Sequence, residues 1–330
     1  MKKITRKLLS GAIALTLTGC AVGGTPNSTT ASSASASSDD NYLIGVVQLV
    51  QHPALDAATQ GFVDELKAEL NLTDENFDIQ NASNDSPTCT TIANAFINEK
   101  VDLILANATP ALQAAKSATS TTPILGTSVT EYGTALGIDN FDGVVGGNVS
   151  GTSDLAPLDQ QAAMFKELLP DAKNIGILYC SGEPNSVYQV KVVTAELENL
   201  GYTVTAYPFT DTNDVAQVTQ SAATGSDALY IPTDNSAASA TETIYNVVSQ
   251  TKTPIIAGEE GICSGCGIAT LSIDYYELGK TTGAMAARIL QGEDISKMEV
   301  EYYQNPVKKY NAKICSELGI EIPSDYTAIE

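Results

Sequence analysis

The chain has 330 residues, 43% hydrophobic and 17% charged. That is enough apolar sequence for two cores rather than one, and too much for a disordered polyelectrolyte. Thirty-nine acids against 17 lysines and arginines give a net charge of −22, or −26 without Lys2, Lys3, Arg6 and Lys7. So acidic a surface repels phosphate backbones and anionic lipid, which argues against nucleic acid as a partner.

Those four cations open the chain, and the 11 residues 8–18 that follow carry no charge. The run is too short for the roughly 20 apolar residues of a spanning helix, so residues 1–19 read as an export signal. The run ends in Leu17-Thr18-Gly19-Cys20, which resembles a bacterial lipobox. That resemblance implies lipid on Cys20, a membrane anchor and a place on the extracytoplasmic side of the cell membrane. Residues 20–40 are rich in Ser, Thr, Ala and Gly with no apolar face, and read as a disordered tether.

From residue 41 onward, strand and helix signals alternate. Ile44-Gly45-Val46-Val47 is a buried-strand run, followed by helical spacing at Leu55, Ala58, Phe62, Leu66 and Leu70. Strand 77–79, helix 90–98, strand 101–105, helix 112–118 and a strand opening at Pro123 come next. The second half repeats this order. Ile175 lies 131 residues after Ile44 and Pro254 lies 131 after Pro123, while Asp102 matches Asp227 at an offset of 125. Helix 190–200 ends at Gly201, a C-cap signal, before strand 203–207. The pattern predicts an α/β protein made of two doubly wound parallel-sheet units. A helix over 276–291, a strand-like stretch at 300–303 and a helix over 311–318 complete the chain.

Ligands of open parallel sheets bind beyond the carboxyl ends of the strands. The loops at those ends carry Gln48, His52, Asn107, Thr109, Ser128, Thr130, Asn185, Ser186, Asp234, Asn235 and Glu259, with Asp154 between the two units. Each Ser, Thr, Asn or Asp there also suits a helix N-cap. Arg288 is the only arginine after Cys20 and these loops contain no lysine, so no guanidinium clamp for an anion exists. A zwitterion fits this inventory. Its carboxylate would lie on Ser128, Thr130 and the N–H groups of the 185–186 turn. Its amine would lie on Asp234, with Asp154 second. Leu49, Pro53, Tyr132 and Tyr188 are candidate apolar walls. The chain has no Trp, which disfavours a sugar site built on stacking.

No catalytic constellation stands out. His52 is the only histidine and no G-x-S-x-G elbow is present. Cys263-Ser264-Gly265-Cys266 lacks the second pair a zinc site needs. It reads as a Gly-rich turn holding a local disulfide or two inert thiols. No enzyme activity, metal or cofactor is expected.

Several stretches together resemble the ABC-transporter substrate-binding lipoproteins of the tryptophan/tyrosine (TrpX-like) type. They are residues 44–56 (IGVVQLVQHPALD), 105–110 (LANATP), 149–154 (VSGTSD), 183–186 (EPNS), 232–235 (PTDN) and 274–280 (DYYELGK). The resemblance implies a type I periplasmic-binding-protein fold, two lobes joined by a three-crossover hinge near 151–155, 271–275 and 298–304. The first lobe would comprise 41–152 plus 274–300, and the second 153–273 plus 301–330. It further implies a monomer that captures a small solute, an aromatic amino acid foremost, and delivers it to an ABC permease and its ATPase. A nucleoside, sugar or branched amino acid, or a tethered sensor role, stay open as alternatives.

Overall fold

The computed structural model describes residues 42–329, so the signal, Cys20 and the tether lie outside the described residues. In chain order the first half runs β1 (Ile44–Gln48), α1 (Pro53–Leu70), β2 (Phe77–Asn81), α2 (Ser86–Glu99), β3 (Leu103–Asn107), α3 (Thr109–Ala118), β4 (Ile124–Val129), α4 (Tyr132–Leu136) and β5 (Val149–Ser153). The second half runs α5 (Leu158–Leu168), β6 (Asn174–Cys180), α6 (Pro184–Asn199), β7 (Thr203–Phe209), α7 (Val215–Gly225), β8 (Ala228–Ile231), α8 (Asn235–Ser239), α9 (Thr241–Thr251), β9 (Ile255–Ala257), α10 (Glu260–Cys266) and β10 (Ala269–Ser272). The chain closes with α11 (Tyr275–Leu290), β11 (Glu301–Tyr302), β12 (Val307–Tyr310), α12 (Ala312–Leu318) and β13 (Thr327–Ala328).

Two sheets form, ordered β11-β5-β4-β3-β1-β2 and β13-β12-β10-β9-β8-β6-β7. Removing the additions at one edge leaves the same order in both, and all ladders within that shared part are parallel. The matched residues do matched work. Asp102 Oδ2 accepts from Leu43 N at 2.8 Å, and Asp227 Oδ2 accepts from Lys173 N at 2.9 Å and Asn174 N at 2.8 Å. The carbonyls of Pro123 and Pro254 accept from Ile104 N and Leu229 N, each at 2.9 Å.

The chain leaves the first sheet after Ser153, returns after Ser272 and leaves again between Tyr302 and Val307. The short strand β11 pairs with β5, so residues 301–302 sit in the first sheet rather than the second. On its return, α11 packs along α1 through glycines. A Cβ on Gly279 would stand 2.1 Å from Ala58 O, and one on Gly61 would stand 2.1 Å from Tyr276 O. Backbone cannot yield as a side chain does. Gly279→Ala should therefore lose more to overpacking than the ~1 kcal/mol it gains in helix propensity, a net destabilisation of about 2 kcal/mol. A denaturant midpoint equal to that of the parent would show that the two helices separate freely.

Candidate functional site: a cleft between the two strand-end faces

The carboxyl ends of both sheets face one another across the hinge, and side chains already join them. His52 Nε2 lies 3.3 Å from Asn235 Oδ1, and Asn84 Nδ2 donates to Ser236 Oγ at 2.9 Å. Most of the residues singled out from the loops are buried here. Their roles divide sharply.

One group is spent on its own lobe. Gln48 Oε1 accepts from the Thr59 hydroxyl at 2.7 Å, while Nε2 donates to Val50 O at 2.9 Å and Asp56 Oδ1 at 2.6 Å. Asp234, expected to take an amine, caps α8. Its oxygens accept from Ala237 N at 2.8 Å and Cys180 N at 2.6 Å. Glu259 caps α10 by accepting from Gly261 N at 2.6 Å and Ile262 N at 2.5 Å. It repeats Glu131, which caps α4 at the matching strand end through Gly133 N and Thr134 N. Ser186, fully buried, lies beside the Asp234 carboxylate.

The other group is buried with an unpartnered atom: His52 Nδ1, Asn107 Oδ1, Thr109 Oγ1, Ser128 Oγ, Asp154 Oδ1 and Asn185 Oδ1. All six sit on the cleft loops. Their partners fix what each can do. Asn107 Nδ2 donates to Leu55 O at 2.8 Å and Asn185 Nδ2 donates to Thr233 O at 3.0 Å, so both amides present an oxygen. Asn235 Nδ2 donates to Glu183 Oε2 at 2.7 Å, which leaves its Oδ1 to accept from His52. Burial holds the imidazole below its ordinary pKa, so His52 is neutral and Nδ1 is a bare acceptor. The cleft therefore shows four acceptor-only atoms and two hydroxyls. Backbone geometry at the first-lobe end is special as well. Ala108 (φ 91) and Ser128 (φ 54) both take positive φ without being glycine, and Ser128 sits where the β4–β5 register shifts.

Asp154 is the one carboxylate among these candidates with a free oxygen. Tyr275 OH donates to its Oδ2 at 3.0 Å, and the Thr130 hydroxyl lies beside it. Burial pushes its pKa up to about 6, against the opposing pull of both hydroxyls. Glu259 rises to about 7 and Asp234 rises too, each first through burial; the next cause of the rise at Asp234 is the neighbouring Glu183.

Glu183 is the residue the sequence reading missed. It is 4% exposed, and its carboxylate accepts from Asn235 N (3.0 Å), Asn235 Nδ2 (2.7 Å), Ser236 N (2.8 Å), Ser236 Oγ (2.8 Å) and Asn185 Nδ2 (3.2 Å). The motif Glu-Pro-Asn-Ser was visible. Its partner loop lies 52 residues on, with no local signal linking the two.

Two expectations are corrected. Tyr132 is no cleft wall but core: it is fully buried, with its hydroxyl donating to Thr152 O at 3.1 Å. Cys263 and Cys266 lie in helix α10 rather than in a turn, and the five cysteines among the described residues are free and buried. A cavity of about 570 Å³ adjoins the cleft between Pro53, Ala54 and Ala57 of α1 and Glu259, Gly261 and Tyr275 opposite. Among the described residues no cluster of His, Cys, Asp or Glu suits a metal, and no helix is long and apolar enough to cross a membrane.

Two matched α/β lobes, three crossovers and a polar interlobe cleft define a solute-binding protein of the type I periplasmic-binding-protein fold. The chain belongs to the ABC transporter substrate-binding protein family, whose model matches residues 43–328. It is 36% identical over 302 residues to a tyrosine-binding protein of Clostridioides difficile (strain R20291), covering 91% of this chain and 87% of that one. Among solved structures it resembles an ABC domain from Streptococcus pneumoniae in complex with L-Trp, at 33% identity and TM-score 0.84 over 88% of this chain and 100% of the other. It also resembles the ligand-free, open structure of a substrate-binding protein with adhesive properties from Clostridium difficile, at 39% identity and TM-score 0.67 over 88% and 99%.

Proposed function

We propose that this chain captures an aromatic L-amino acid, tyrosine or tryptophan, between its lobes and delivers it without chemical change to a membrane ABC permease and its ATPase. It acts as a monomer held outside the membrane by lipid on Cys20. The observation that carries the reading is the polar inventory of the cleft. Four bare acceptors call for four donors, which three ammonium protons and one phenol or indole proton supply. Among the sequence candidates Asp154 is the one carboxylate with a free oxygen, so it replaces Asp234 as the amine's partner. The hydroxyls of Ser128 and Thr109 suit the carboxylate, with Thr130 turned to Asp154. What the relatives bind supports the aromatic side chain.

Calorimetric titration with L-tyrosine, L-tryptophan, L-leucine and ribose tests this. Binding confined to the aromatic pair is expected; binding of leucine or ribose in preference overturns it. Because the protein has no Trp, bound tryptophan is the sole source of indole emission. Cys20→Ala should move the protein from the membrane fraction to the soluble one, and retention in the membrane would remove the lipid anchor.

A further inference from the structure

Asp154 follows β5 on the first crossover, and Tyr275 follows β10 on the second, 121 residues away in sequence. One hydrogen bond of 3.0 Å ties the two passages. The terminal torsion of a carboxylate is broad and two-fold, so nothing intrinsic directs one oxygen to the cleft. Tyr275 removes that freedom by occupying Oδ2 and leaves Oδ1 as the unpartnered atom. Its ring, 6% exposed, also walls the 570 Å³ cavity next to Glu259. The groups facing Asp154 are Tyr275 from α11, Thr130 after β4, Tyr132 from α4 and Glu259 before α10. The hydroxyls of Tyr275 and Thr130 are the side chains that favour its ionised form, with a backbone N–H at Asp154 itself adding to them.

We propose that Tyr275 is a positioning residue for ligand capture: its hydroxyl presents Asp154 Oδ1 to the ligand's ammonium group, and by bridging two crossovers it makes that presentation depend on the arrangement of the hinge. This rests on Asp154 as the amine's partner. Tyr275 makes no claim on the ligand itself.

The test is Tyr275→Phe, compared with the parent, Asp154→Asn and the double variant by calorimetry with L-tyrosine from pH 5 to 8. At pH 7.5 the single variant should lose about tenfold in affinity, the worth of one hydrogen bond to a charged group. Removing a donor that favours the carboxylate raises the pKa of Asp154, so the acid limb of the affinity profile should move to higher pH. The double variant should bind no more weakly than Asp154→Asn alone. A parent-like dissociation constant and acid limb in Tyr275→Phe overturn the proposal. So does a loss that simply adds to that of Asp154→Asn, which marks Tyr275 as packing only. If Asp154→Asn binds as the parent does, the amine assignment fails and this proposal with it. Failure of Tyr275→Phe alone leaves that assignment standing.

Discussion

Replacing Asp154 by Asn should weaken binding of the aromatic amino acid by about 30- to 1,000-fold. Truncating one partner of a buried charge pair costs roughly 2–4 kcal/mol. The same change should make the ligand-free protein more stable. An aspartate whose pKa rises on folding, here from 3.8 to about 6, is bound more tightly to its proton in the folded state. Its cost is absent below pH 3.8, grows as pH rises to about 6, and is complete above that, at about 3 kcal/mol. Asparagine keeps an acceptor for Tyr275 and carries no charge, so the unliganded variant should melt above the parent at pH 7.5 and level with it near pH 3.5. Ligand affinity of the parent runs the other way. The ammonium needs an ionised Asp154, so affinity should drop about tenfold between pH 7 and pH 5. Calorimetry across pH, together with thermal melts without ligand, checks both signs. An Asp154→Asn protein that binds tyrosine normally and melts earlier than the parent would refute the role.

Glu183→Ala should be the most damaging substitution in the second lobe. It breaks five hydrogen bonds at once and leaves the N–H groups of Asn235 and Ser236 buried without an acceptor. Losing a buried carboxylate so placed costs roughly 3–5 kcal/mol, a fall in melting temperature of about 6–15 °C at this size. The site should suffer with it. Asn235 presents its oxygen to His52 only because its nitrogen is claimed by Glu183, and Asn185 is held by the same carboxylate. Ligand affinity should therefore fall by at least about tenfold even where the protein stays folded. Glu183→Gln, which keeps the shape but turns one acceptor into a donor, should lie between. Scanning calorimetry on the three proteins decides this. A melting point within about 1 °C of the parent for Glu183→Ala would mean that Asn235 and Ser236 find other partners.

Much of the fold was legible because parallel strands covered on both faces are short continuous apolar runs, and β1, β3, β6 and β8 read as such. The duplication was legible because Asp102 and Asp227, like Pro123 and Pro254, hold the same backbone positions in each copy. Helices α5, α7 and α9 were not drawn out, although each buries residues at helical spacing: Leu158, Ala162 and Phe165 on α5, Val215, Thr219 and Ala222 on α7, and Ile244 and Val248 on α9. All three are short, only 11 residues each. The turn expected at 263–266 lies in a helix because Glu259 supplies its cap, outweighing the two glycines Gly261 and Gly265. In the cleft, position was readable and role was not. Strand ends locate Asp154, Asp234 and Glu259 alike. Whether a carboxylate meets a helix N–H or stays open depends on how the chain enters each turn. The spacing from Asp234 to Ala237 was itself a cap signature. The hub at Glu183 was beyond reach, since its partners come from a loop far along the chain.

The pairing of α1 with α11 has a consequence for biogenesis. The core under β1 is built from Ile44, Val46 and Phe62 at one end of the sequence and Met285, Ala286, Ile289 and Met298 near the other. A ribosome must add nearly the whole chain before that layer exists, so the amino-terminal half cannot finish folding while synthesis is under way. For the exported chain proposed here that delay is useful. The nascent polypeptide stays loose enough to thread a translocon, and the late-made helix α11 completes the core only after it has crossed.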